Sequence, residues 1–242
     1  MPKPAIIRYD TRDKLEQWPD FPETEISSGD RGSRGHLWLD NPALGLKVGV
    51  WEAEANLGRW MKWPAHEFMI VLEGEVVMVE EDRETVVSAG ESFFIPKGRR
   101  CIWNQAGYFK KILMLFDDPA GDNSKPVMKI DPKVNLQLST PPSVEILHSG
   151  VPRQHAHEYF ENVTGEFTVG VWDTTGYHRK LIDFPRYELM HLLEGSVTFT
   201  DDTGGSKTFR AGDTFFVPLG TPNSWKSEGY LRKIYCIFQP PK

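Results

Sequence analysis

Apolar residues in this chain fall in short runs rather than in long stripes. Clusters of Val, Ile, Phe, Tyr and Trp are broken by Gly, Pro, Asp and Asn at intervals near ten residues. That spacing predicts short antiparallel strands joined by turns, closed into a sandwich or barrel. No helical stripe competes with it. The stretch "EFMIVLEGEV" (67–76) is apolar on both strand parities, so the strand is expected to be covered on both faces. It nevertheless opens on a glutamate. Strand alternation places Glu67 with Met69 and Val71 on one face.

The pattern occurs twice. "VGVWEAE" (48–54) returns as "VGVWDTT" (169–175), "WPAHEFMIVLEGEV" (63–76) as "FPRYELMHLLEGSV" (184–197), and "AGESFFIPKG" (89–98) as "AGDTFFVPLG" (211–220). "YFKKILMLF" (108–116) returns as "YLRKIYCIF" (230–238). The offset is 121 residues, and 122 after the hairpin loop "DDTGG" (201–205), which is one residue longer than its counterpart. The chain is therefore read as an internal duplication. The polar, proline-rich stretch 117–145 is the connection, which divides the chain into 1–125 and 126–242. Within the polar first 44 residues, Trp18 and Phe21 are the bulky anchors. They suit an arm packed on the other barrel or on a second subunit; a disordered tail is the other reading.

Composition narrows the function classes. A chain of 242 residues with 39% hydrophobic content can build real cores. A formal charge of −6 and only short basic runs, such as "KGRR" (97–100), argue against nucleic acid. No run approaches the roughly 20 apolar residues of a membrane span, and "MPKPAIIRYD" lacks a signal-peptide pattern, so the expectation is a cytoplasmic protein with no membrane partner. Two cysteines, Cys101 and Cys236, are too few for a disulfide framework, although one bond between them stays open.

Two motifs carry a family resemblance. Glu67 to Gly74 and Glu188 to Gly195 each fit a glutamate, six residues and a glycine; Pro96-Lys97-Gly98 and Pro218-Leu219-Gly220 each fit Pro-x-Gly. Both units resemble cupins over about 45–118 and 166–239, and the whole resembles a bicupin: all-β, two tandem double-stranded β-helix, jelly-roll barrels. "GVW", "LEG", the Trp five residues after Pro-x-Gly and "RKIY" are similar to the ureidoglycine aminohydrolase-like and ethanolamine-utilisation cupins. That similarity implies binding of, or chemistry on, a small nitrogen-containing metabolite.

The resemblance also implies a metal held by two histidines, the motif glutamate and a later histidine, and here this chain departs. "WMKW" (60–63) and "LIDF" (181–184) stand in the upstream window, and Cys101 and Asn223 stand at the downstream position. Lys62 would repel a cation in the first barrel, so no metal is expected there. In the second, the expectation is either no metal or a divalent ion held by the oxygens of Asp183, Glu188 and Asn223. "HAHE" (155–158) has ligand-like spacing but lies well upstream, and reads as polar-strand histidines.

Without a metal, each glutamate needs another partner. Lys111 and Lys233 hold equivalent places on the closing strand. A Glu–Lys pair there is either structural, since a buried charge is costly unless paired, or an acid–base pair. The enzyme reading uses Glu188 with Lys233, Tyr187 and Asn223; the alternative is a metal-free binding protein. Cup-lining candidates are Glu67, Lys111, Cys101 and Trp103 in the first barrel, and Trp225 and Tyr235 in the second. His66 and His191, on the opposite parity from the glutamates, read as exterior or interface positions, and His178 as a loop residue without a partner. The outer apolar face is expected to be covered by the arm, the other barrel or another subunit, and a homodimer is the expected assembly.

Overall fold

The structure is a computed structural model that describes residues 3–12, 14–121 and 125–241. Apart from one 3-10 turn, Val144–Ile146, its regular elements are β-strands. No helix among the described residues is long and apolar enough to cross a membrane. The chain divides into two compact units, Thr11–Ile130 and Met1–Asp10 with Asp131–Lys242.

In the first unit a seven-stranded sheet runs in the order Met128–Ile130, Ser92–Ile95, His66–Glu73, Phe109–Phe116, Leu46–Ala53, Ser33–Asn41, Glu16–Trp18. A six-stranded sheet contains Glu84–Ser88, Glu75–Val79, Arg100–Gln105, Asn56–Gly58 and Ile26–Gly29, with Met61–Lys62 on the side. The second unit repeats the larger sheet as Ile7–Arg8, Thr214–Val217, Tyr187–Glu194, Leu231–Phe238, Phe167–Thr174, Gln154–Glu161, Gln137–Ser139. Its second sheet has four strands, Tyr177–Asp183, Pro222–Ser227, Ser196–Thr200 and Ser206–Arg210.

The unit boundary falls inside 117–145, but the units are not the simple halves 1–125 and 126–242. Residues 126–130 stay with the first unit because Met128–Ile130 pairs with Ser92–Ile95. Residues 1–10 join the second because Ile7 and Arg8 pair with Phe216 and Phe215, and because Ile6 enters that unit's core. The remainder of the arm stays at home. Glu16–Trp18 pairs with Ser33–Asn41, and Trp18 and Phe21 pack on the core of their own barrel.

Period-two patterning fills the first barrel with Trp51, Met69, Val71, Trp103 and Leu113. Phe68, Ile70, Ile112 and Met114, on the opposite parity of the same strands, are also buried within this single chain. The motif glycines have a backbone reason. Gly74 and Gly195 sit at φ +79° and +77°, and a Cβ there would come within 2.1 Å of the Tyr108 carbonyl oxygen or 2.2 Å of that of Tyr230. The glycine ending each motif thus lets the glutamate strand turn tightly against the closing strand.

Candidate functional site

The first cup is built on three neighbouring strands. Glu67 opens His66–Glu73, Lys111 lies on Phe109–Phe116, and Trp51 on Leu46–Ala53. Pairing of Lys111 with both Val71 and Trp51 brings the ammonium over the sheet to Glu67, with Nζ 2.8 Å from Oε1. The same Nζ lies 4.8 and 4.6 Å from the ring centroids of Trp51 and Trp103. The second carboxylate oxygen accepts from the Trp63 indole N–H at 3.0 Å. Trp18 and Phe21 line the same cavity, of about 280 Å³, and Phe21 meets Trp51 edge-on.

The second cup keeps this core and changes its surroundings. Lys233 Nζ lies 2.6 Å from Glu188 Oε1 and faces Trp172 and Trp225, as its counterpart faces Trp51 and Trp103. Phe184 replaces Trp63 and has no N–H to give. The other oxygen instead accepts from Arg186 Nε at 2.9 Å, and Arg186 stands where the first repeat has Ala65. Burial alone would raise the Glu188 pKa; the charges and hydrogen bonds of Arg186 and Lys233 outweigh it and hold the carboxyl below its ordinary value. A third cation follows. Arg179, in the place of Gly58, is 6% exposed, donates from Nη2 to Asn223 Oδ1 at 2.6 Å and has no partner for Nη1.

The mouths also differ by substitution at one offset. Ser139 on Gln137–Ser139 pairs with Gln154 just as Trp18 pairs with Ser33, so a hydroxyl occupies the backbone position that carries an indole in the first repeat. Phe21 becomes Pro142. The space this frees belongs to a cavity of about 390 Å³ lined by Ser139, Pro142, Tyr177, Arg179, Arg186, Glu188, Trp225, Lys233 and Tyr235, among others. The Ser139 hydroxyl is buried and unpartnered too.

Several expected site residues lie elsewhere. Tyr187 is on the opposite strand parity from Glu188, stacked on Phe216 at 6.3 Å, and does not reach the cup. The set Asp183, Glu188 and Asn223 is not assembled. Asp183 is exposed, the Asn223 oxygen is taken by Arg179, and both Glu188 oxygens are taken by cations. A divalent ion would meet three positive side chains there, so these donors do not fit one; no cluster of three or more His, Cys, Asp or Glu suited to a metal occurs among the described residues. Cys101 packs into the first core rather than lining its cup, and burial pushes its thiol up to about 12. It and Cys236 are free, buried thiols. Glu67, Lys111 and Trp103 do line the first cup, and Trp225 and Tyr235 the second.

The histidines are mostly structural. His66 has the expected parity but is buried, not exterior: Nδ1 accepts the Lys97 N–H and Nε2 lies 3.1 Å from Asp118. Half-buried His191 lies 2.8 Å from the Thr214 hydroxyl. His178 is on a strand, Tyr177–Asp183, with its ring 4.8 Å from that of His148. His155 is held by Asp173 at 2.7 Å. "KGRR" is neutralised locally, by Lys97 with Asp117, Arg99 with Glu80 and Arg100 with Glu81.

Arg179, Arg186, Tyr177 and Ser139 are the cup residues that motif reading passes over. They do leave a signal. Each departs from its partner one repeat length away, at Gly58, Ala65, Asn56 and Trp18.

Comparison with known proteins agrees with the architecture. The chain matches the EutQ-like cupin domain family over residues 43–112 and again over 161–235. No curated protein matches it. A solved structure of a protein of unknown function, of the DUF861 family from Pseudomonas syringae pv. tomato, is similar with a TM-score of 0.81 and 25% identity, covering 97% of this chain and 100% of that one. A cupin 2 conserved barrel domain protein from Leptotrichia buccalis is similar in fold, with a TM-score of 0.59, 12% identity and coverage of 88% and 92%.

Proposed function

Given that the chain belongs to the EutQ-like cupin family in both of its repeats, we propose that it is a small-molecule-binding bicupin whose second barrel holds the ligand without a metal. The first barrel is its structural partner. The observation that carries this reading is the exchange of Trp18 and Phe21 for Ser139 and Pro142, by which two aromatic side chains that narrow the first cup, about 280 Å³, give way to small ones in the second, about 390 Å³. Concave sites with aromatic walls and a few convergent polar groups are where small ligands bind.

Glu188 supports binding better than turnover. A carboxylate held ionised between two cations is a poor general acid, and its lowered pKa makes it a weak base. Both of its oxygens already accept from cations, and the positive charge around it disfavours a further cationic nitrogen. Nitrogen-containing metabolites, the class the family resemblance implies, fit this cup when they are not net cations.

Indole N–H resonances test the location. Fragments of mixed charge added to the full-length protein are expected to shift Trp172 and Trp225 and leave Trp51 and Trp103 in place. Shifts confined to Trp51 and Trp103 would put the ligand in the first barrel. Metal analysis of protein purified without added ions should find well under one divalent ion per chain; a stoichiometric ion would sink the metal-free reading.

A further inference from the structure

The charges around the second cup do not balance. Three cations, Arg179, Arg186 and Lys233, line it against one carboxylate, Glu188, and each oxygen of that carboxylate already accepts from a cation. In the first repeat, Gly58 and Ala65 stand at the two arginine positions, so Glu67 pairs with Lys111 alone; that cavity's other charges are Lys47 and Arg59 against Glu25, which leaves it a smaller positive excess than the second. The duplication acts as an internal control. One Glu–Lys pair is common to both barrels, and the two arginines are extra.

Arg179 is the extra cation with hydrogen-bonding capacity to spare. Its guanidinium is fixed from one side by Asn223, which itself replaces Cys101 of the first repeat, and the amide nitrogen of Asn223 is tied to the Thr221 carbonyl at 2.8 Å. Nη1 is left buried without a partner, on a residue that lines the cavity. A buried, unpaired charged donor is costly, and native proteins keep one where something else satisfies it. Ser139 Oγ, buried and unpaired on the same cavity, is a second donor. Most of the remaining wall is apolar, with Trp172, Trp225, Tyr177 and Ile182 on it, and Gln154 and Thr140 add polar groups.

We propose that the second cup binds a small organic carboxylate, whose anionic head is received by Arg179 Nη1 and the Ser139 hydroxyl and whose apolar body lies against the aromatic wall. Guanidinium and carboxylate are matched in charge and donor geometry. Lys233 and Arg186 add to the positive field but are already committed to Glu188, so they steer the anion and Arg179 holds it. The aromatic wall favours a carboxylate with an unsaturated or cyclic body over an inorganic oxyanion. The inference rests on the second barrel being the ligand site, and the test separates the two claims.

Benzoate, its neutral isostere benzamide, the cation benzamidine and inorganic phosphate are the probes, titrated into the full-length protein with the Trp172 and Trp225 indole signals as readout. Benzoate is expected to bind at the millimolar level or tighter, at least about tenfold better than benzamide or phosphate, with no binding of benzamidine. Arg179→Gln should weaken benzoate roughly 10- to 100-fold, the scale of one lost charge-assisted hydrogen bond, and leave benzamide unchanged. Ser139→Ala should weaken benzoate by a smaller factor, which keeps the test alive if Arg179→Gln fails to fold. Ser139→Trp with Ala156→Gly, which rebuilds the first repeat's Trp18 and Gly35, should block every probe. If benzamide or benzamidine binds as tightly as benzoate and that double variant blocks it, the cup is a ligand site and the carboxylate assignment is wrong. Phosphate binding as well as benzoate would also overturn it. If no probe shifts either indole, both claims fall.

Discussion

The two Glu–Lys pairs make a stability experiment in which one protein supplies both arms. Lys111→Met removes the single cation bonded to Glu67, whose other oxygen then keeps only the neutral Trp63 indole N–H. Both side chains are nearly fully buried, at 7% and 6% exposure, so the change strands a carboxylate in a low-dielectric cup. Breaking such a pair on one side costs about 3–5 kcal/mol. Lys233→Met removes an equally buried ammonium, but Arg186 stays at 2.9 Å from the second oxygen of Glu188. That carboxylate remains paired, and the loss falls to about 1.5–3 kcal/mol, that of one hydrogen bond to a charged group. Relief of repulsion with Arg186 trims it further. Urea unfolding followed by circular dichroism and tryptophan fluorescence should therefore show Lys111→Met as the worse variant by about 1–3 kcal/mol, each shift measured on its own unit's transition. A Lys233→Met loss equal to or larger than that of Lys111→Met would refute the reasoning, because it would mean that Arg186 does not neutralise Glu188 in the folded protein.

The same geometry yields further outcomes. Trp63→Phe copies Phe184 without its compensating arginine, so it should cost about 1–3 kcal/mol by leaving Glu67 Oε2 without a donor, and adding Ala65→Arg should restore part of the loss in a double-mutant cycle. Gly35→Ala would set a Cβ 2.4 Å from the Trp18 ring, so it should displace that indole from the first cup, read as a red shift in tryptophan emission, whereas Ala156→Gly at the equivalent position should leave the emission unchanged. The folded Glu188 pKa is depressed, so its contribution is complete above the ordinary carboxylate value near 4.3 and is lost as pH falls through the lower folded value. Acid unfolding of Glu188→Gln should accordingly show a shallower fall in stability below about pH 5 than the parent. Burial holds His66 below the usual histidine range against the pull of Asp118, so the unfolded chain takes up that proton first. Stability should drop as pH falls below about 6.5, and His66→Gln should remove that component from a pH series of urea midpoints.

Much of this was open to reading along the chain, for a physical reason. Strand alternation and turn residues are local properties, and duplication prints them twice, so the barrels, the strand of Glu67, its twin at Glu188 and the lysines opposite them all follow from spacing. The parity that placed Glu188 in the cup also excludes Tyr187 from it, and the structure obeys the parity. Other features depend on which segments meet, and no local pattern encodes that. Ile7–Arg8 and Met128–Ile130 are two- and three-residue strands whose partners lie far along the chain, so the unit boundary emerges only once the sheets close. Asp183 and Asn223 look like oxygen ligands by their type. In the fold Asp183 lies exposed at the end of the Tyr177–Asp183 strand, and Asn223 on the neighbouring strand is tied to Arg179. The charge of the second cup was likewise decided in three dimensions. Arg179, Arg186 and Ser139 come from three separate segments, and each is unremarkable in its own neighbourhood. The sequence by itself determined two barrels, each with a glutamate that must be neutralised. Tertiary packing decided that one cup is narrowed by its own tryptophan around a lone Glu–Lys pair while the other is wider, with two more arginines and a buried guanidinium nitrogen to spare, because cavity and charge are sums over residues that only the fold brings together.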